Sequence, residues 1–219
     1  MSQQSYIMKL STAASFSGLI SLITIAFTVV FMRPGLRLEG VLLQRQEWLT
    51  QSTLIWSIGW WLWLIAIFGW MVLLVTLMWG YSPAHRVPTM LQSGLIIISA
   101  ILAIIGVAVW MNLLIPAAAH PDASGLVLLV DRLALSMIAS ACFMGGAVTA
   151  WLGIDLIRLK KLPGSWLYPG VIAGLFLVPA PFLLPKWPEP LLIGALFWLI
   201  WCLFLAMQRS APKVYTEWL

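Results

Sequence analysis

Few residues in this chain have side chains able to do chemistry, and most of them lie in short polar stretches between long apolar ones. His120-Pro-Asp122 sets an imidazole and a carboxylate two residues apart, with Asp131 close behind and Glu39 and Glu47 in an earlier loop. Oxygen and imidazole donors together can hold a divalent ion, but one His-x-Asp in a loop does not specify a site, so no metal is assigned. Asp131-Arg132 is an acid–base pair at the head of an apolar run; at the membrane surface it is an interfacial anchor, and at mid-membrane it would be a functional pair. With His120 it also offers groups for an enzyme acting on lipids at the outer interface.

Other chemistries lack their groups. The two histidines, His85 and His120, are both in loops, so no haem can be held between intramembrane histidines. No lysine falls inside an apolar run, which excludes a retinal Schiff base in the usual arrangement. Asp155 lies near the end of its run with Arg158 three residues on, a spacing that predicts a helix-end ion pair rather than a proton relay. Paired intramembrane aspartates, a Ser/His dyad at depth, a P-loop and a glycine-rich dinucleotide turn are all absent from the sequence. No catalytic residue is assigned.

Tryptophan is the conspicuous residue. Trp56, Trp60, Trp63 and Trp70 share one helical face, with Trp61 and Phe68 off it, and Trp151, Trp198 and Trp201 also fall within apolar runs. Such rings pack between helices, face lipid, or wall a pocket for a flat apolar ligand such as a bound lipid, quinone or pigment. Pro179 and Pro181 interrupt another run and free carbonyls near Leu175 to Leu177. Transporters use such breaks, in matched repeats, to hold substrate. The run Thr53–Trp79 has no proline to match, which favours a plain kinked span. The candidate ligand-facing set is therefore Trp56, Trp60, Trp63, Trp70, Pro179, Pro181, Asp131 and Arg132.

The elements that must position these residues follow from composition. Of 219 residues, 62% are apolar and 9% charged, far from the balance of a soluble domain. Six runs, Leu10–Met32, Thr53–Trp79, Thr89–Ile115, Leu133–Ile157, Trp166–Leu184 and Leu191–Met207, approach or exceed the ~20 residues that cross a bilayer. The first is too long for a signal-peptide core and lacks a small-residue cleavage site, so it reads as a retained span. Only helices satisfy the backbone in lipid without closing a barrel. The expected fold is all-α: a polytopic bundle of six transmembrane helices forming one membrane domain over residues 1–219.

Basic residues exceed acidic ones by 12 to 7, and in such a chain the excess sets topology rather than marking a nucleic-acid partner. Lys9, Arg86, Arg158, Lys160, Lys161, Arg209 and Lys213 fall on one side, against Arg33, Arg37, Arg45, Arg132 and Lys186 on the other. That distribution predicts cytoplasmic termini in a bacterial-type inner or thylakoid membrane. Trp79, Tyr81, Trp166, Tyr168 and Trp187 mark the interfaces.

Further patterns bear on assembly. In the fourth run Ala141, Gly145, Thr149 and Gly153, with Cys142, Gly146 and Ala150 beside them, repeat every four residues and predict a central, closely packed helix. Ser17, Ser21, Thr24 and Thr28 form a hydroxyl stripe suited to helix–helix hydrogen bonding. Leu38, Val41, Leu42, Trp48 and Leu49 recur at helical spacing after the first run, predicting an amphipathic helix. Gly125–Val130 extends the fourth run beyond the hydrocarbon, and the two segments together predict a small outer cap. In size and span count alone the chain is similar to the six-span substrate-binding membrane subunits of vitamin transporters, an analogy without a motif. The sequence therefore points to a non-enzymatic membrane protein, an accessory or assembly subunit of a larger complex, or alternatively a lipophilic-ligand binder or transporter component with a Trp-lined pocket under the cap.

Overall fold

The computed structural model describes residues 3–36, 42–82, 86–120, 123–160, 162–184 and 189–207, and among these the regular structure is helical throughout. Helix α1 (Gln3–Phe27) passes through a π-helical turn (Thr28–Met32) into the short α2 (Arg33–Leu36). After α3 (Leu42–Gln51) come α4 (Thr53–Tyr81), α5 (Val87–Ala119) and α6 (Ala123–Arg158), then α7 (Gly164–Leu177), α8 (Ala180–Leu183) and α9 (Glu189–Ala206).

Five stretches are long and apolar enough to cross a membrane: Leu10–Leu36, Thr53–Tyr81, Val87–Ala119, Ser124–Arg158 and Gly164–Leu183. Leu191–Ala206 is apolar but shorter. The first helical stretch continues past the expected end at Met32 to Leu36, and α6 begins ten residues before Leu133. At 1.5 Å per residue α5 and α6 are roughly 50 and 54 Å long, well beyond a hydrocarbon layer of about 30 Å.

The long helices close into a ring in chain order: α1 on α4, α4 on α5, α5 on α6, α6 on α7, α7 on α9, and α9 back on α1. Short connections between antiparallel neighbours favour this order. Glycine brings α6 and α7 together. A Cβ on Gly146 would stand 2.6 Å from the Gly174 carbonyl oxygen, so the two backbones touch where any side chain would separate them. The four-residue repeat of small residues on α6 is thus spent on close approach, with Gly145 against Ser99 of α5 and Gly153 against Val171 of α7.

Proline sets the breaks. Pro88 enters α5 in its first turn, where its missing N–H is not needed. Pro179 stops α7: the helix ends at Leu177, Val178 and Pro179 form a turn, and α8 restarts with Pro181 in its first turn. The expected kinked span is thus a single membrane-length stretch, Gly164–Leu183, interrupted at Val178 and Pro179.

Two apolar cores fill the ring. One, at the α1 N-terminal end, draws on all six long helices, with Leu10, Leu73, Leu77, Ile96, Leu152, Leu156, Leu167 and Trp201. The other, at the opposite end, contains Met32, Leu49, Trp56, Trp60, Trp110, Leu114 and Val127, from the π turn and α3 to α6.

Candidate functional site

The second core surrounds a buried ion pair. On α3, Leu42, Arg45 and Leu49 fall at i, i+3 and i+7, so the arginine occupies the apolar stripe of its helix, and Arg45 and Leu49 are both buried. Opposite it, α6 presents Asp131, also 5% exposed. Arg45 donates from both terminal nitrogens to the carboxylate, at 2.5 Å to Oδ2 and 2.8 Å to Oδ1, the bidentate fork that guanidinium geometry favours. Its Nε donates to the Gly35 carbonyl at 2.6 Å, and the Trp110 indole donates to Asp131 Oδ1 at 2.9 Å. The pair thus ties α2, α3, α5 and α6 together.

Aromatic rings enclose this network. Trp56 donates its indole N–H to the Trp110 carbonyl at 3.2 Å, and its ring meets Trp48, Trp60 and Trp110 edge-on at centroid distances of 6.3, 5.2 and 6.3 Å. Trp60 lies against Trp110 at 5.0 Å. Gly35 passes between rings so closely that a Cβ there would lie 2.5 Å from Trp48 and 2.8 Å from Trp56. The Asp131 carboxylate accepts three donors, from Arg45 twice and from Trp110, so both of its oxygens are engaged within the chain. That arrangement suits a clamp better than an acid–base catalyst.

The four tryptophans of the α4 face diverge. Trp56 and Trp60 join the aromatic cluster; Trp63 donates to Thr28 Oγ1 at 3.0 Å in the π turn; Trp70 donates to Thr149 Oγ1 of α6 at 3.2 Å. Trp61 and Phe68 lie on the exposed face of α4, off that stripe. Arg132, next to Asp131, is exposed and outside the ion pair. Pro179 and Pro181 sit at the α7–α8 break, where α8 packs on α6, away from the tryptophan cluster. The structure therefore brings together Trp56, Trp60 and Asp131, and adds Arg45, Trp48 and Trp110.

Arg45 carried a readable signal, a charge on the apolar stripe of an amphipathic helix. Trp110 carried none beyond its type.

A second ion pair marks the other end of α6. Asp155 meets Arg86, the residue preceding α5, through one contact of 3.4 Å; the arginine side chain is 37% exposed and the aspartate 9%. The expected Asp155–Arg158 pair is corrected accordingly: α6 turns Asp155 inward toward α5 and leaves Arg158 exposed. Along α6 the two carboxylates are about 36 Å apart.

The hydroxyl stripe of α1 serves packing where its bonds are defined. Thr24 donates to its own Ile20 carbonyl at 2.7 Å and lies 3.3 Å from the Leu62 carbonyl of α4, and Thr28 donates to the Thr24 carbonyl. Cys142 and Cys202 are free thiols. His120 follows α5, whereas Glu39, His85, Asp122 and Trp187 lie outside the described residues. Among the described residues no three His, Cys, Asp or Glu side chains are grouped to hold a metal. No protein-family model, curated protein or solved structure matches the chain.

Proposed function

We propose that this is a non-enzymatic integral membrane protein that works as an accessory or assembly subunit, engaging partner subunits through its outward faces. The observation that supports it is the use of its interior tryptophans. Trp56, Trp63, Trp70 and Trp110 each donate to a group of this same chain, so rings suited to walling a ligand pocket are spent on joining helices. In this reading α9 is the sixth span, both termini are cytoplasmic, and α3 with the first turns of α6 forms a cap on the outer side, pinned by Arg45 and Asp131. The surrounding solvent is the lipid bilayer of a bacterial-type inner or thylakoid membrane.

One observation favours the alternative, a lipophilic-ligand binder or transporter component. The Trp60 Nε1 is buried without a partner, inside the aromatic cluster that α3 covers. A quinone, pigment or lipid with a carbonyl oxygen would satisfy it.

Native mass spectrometry of the protein extracted in lipid-preserving polymer separates the two. Another protein retained at fixed stoichiometry is the expected result. A small molecule retained without protein, and lost on Trp60→Phe, overturns the subunit reading in favour of the pocket.

A further inference from the structure

The antiparallel register of α5 and α6 is pinned at three points: Arg86 with Asp155, Ser99 with the Ala141 carbonyl at 2.9 Å, and Trp110 with Asp131. That register sets Gln92 level with Thr149. The Thr149 hydroxyl is already engaged, donating to the Gly145 carbonyl at 2.6 Å and accepting from Trp70. Gln92 is 0% exposed, and neither its Nε2 nor its Oε1 has a partner in the protein. Ser82 Oγ, just beyond the C-terminus of α4 at the same end of the ring, is buried in the same condition.

Buried polar groups in native proteins are almost always satisfied, by water or a bound molecule where the chain supplies nothing. Gln92 lies about 9 Å along α5 from Arg86. Thr89, buried on the same α5 face, stands between them. Over this end lies the Arg86–Asp155 contact, single and long, its guanidinium more than a third exposed.

We propose that Gln92 is the floor of a polar pocket entered from the Arg86–Asp155 end, and that this ion pair is its opening closure. The floor chemistry sets the occupant. A primary amide offers one donor and one acceptor side by side, matching an uncharged group that carries both, such as an amide or a protonated carboxylic acid, with water as the smallest case. An ion would lose its hydration there without a countercharge at the floor. This pocket is separate from the Arg45–Asp131 clamp and independent of the accessory-subunit reading.

The test is thiol labelling of the full-length protein in lipid, with methyl methanethiosulfonate as reagent and peptide mass spectrometry as readout. The reagent requires a thiolate, which forms where water reaches. Thr89→Cys keeps Gln92 in place and is expected to react at least about tenfold faster than Ile96→Cys, a buried position one turn beyond Gln92. Acetamide is expected to slow that reaction severalfold, Gln92→Leu to abolish the protection, and Arg86→Gln to speed labelling. Equal, slow reaction at positions 89 and 96 overturns the pocket. Reaction that acetamide does not slow overturns the amide-type occupant in favour of water, and a rate unchanged by Arg86→Gln overturns the closure.

Discussion

The two ends of α6 each carry an aspartate paired with an arginine from another segment, and the pairs are built for different work. Arg45–Asp131 is bidentate, sealed under tryptophan rings and reinforced by Gly35 and Trp110. Arg86–Asp155 is a single contact with a half-open arginine. The apolar surroundings differ in parallel: all six long helices converge at the Arg86 end, whereas α7 and α9 are absent from the core around Arg45. Where helix packing is complete, the ion pair is loose; where two helices are missing from the core, a buried ion pair and a short helix supply the connection.

The strongest way to break this contrast is to remove one partner of the buried pair. Asp131→Ala leaves the Arg45 guanidinium buried without a countercharge and is expected to lower stability by about 3–5 kcal/mol. Thermal unfolding in detergent, followed by tryptophan fluorescence, measures it. The double replacement Arg45→Met with Asp131→Leu is expected to recover most of that loss, because two apolar side chains need no pairing. Failure of the double variant to recover would mean that the geometry imposed by the fork, and not charge balance, holds the end together.

Next in size is Trp110→Phe, which keeps a ring in the aromatic cluster and removes the donor to Asp131. A hydrogen bond to a charged group is worth about 1.5–3 kcal/mol, and the same melting experiment is expected to show a loss in that range. Thr28→Val deletes the acceptor for Trp63 and is expected to lower stability by about 0.5–1.5 kcal/mol. Arg86→Ala comes last, at about 1 kcal/mol, because the guanidinium it removes makes a single contact and is more than a third exposed, although Asp155 itself is buried. Added salt sharpens the comparison, since screening reaches the partly exposed Arg86 more than the sealed Arg45. Melting across a salt series is expected to erase the Arg86→Ala effect and to leave the Asp131→Ala effect in place.

Much of the architecture was legible in the sequence because it depends on local rules. Apolar run length announces the long helices, Pro179 announces a break, and the four-residue spacing of Ala141, Gly145, Thr149 and Gly153 announces a tightly packed α6. The early start of α6 was legible too, since a helix from Asp131 to Arg158 outruns the hydrocarbon. What local pattern could not supply was pairing between distant segments. Asp155 had Arg158 one turn away in sequence, and the fold gave it Arg86 instead. Arg45 and Asp131 are 86 residues apart, and nothing in either segment names the other. The shared stripe of Trp56, Trp60, Trp63 and Trp70 suggested a single wall, yet helix α4 is long enough that its successive turns meet α5, the π turn and α6 in succession.

The π turn at Thr28–Met32 carries a consequence for how the chain tolerates change in length. Such a turn accommodates one residue more than the α-helical count. Losing one residue there would let the segment relax into regular helix, so the helix itself would survive the deletion. Residues downstream would keep their phase, because the turn had already absorbed the extra residue; straightening the turn with no residue lost would instead rotate them by about 100° at 3.6 residues per turn. Gly35 would leave its slot between Trp48 and Trp56, and its carbonyl would swing away from Arg45. The extra residue thus acts as a phase setting: the loss of one residue there would be absorbed, whereas a regular helix built from all five would unlatch the far end of the bundle.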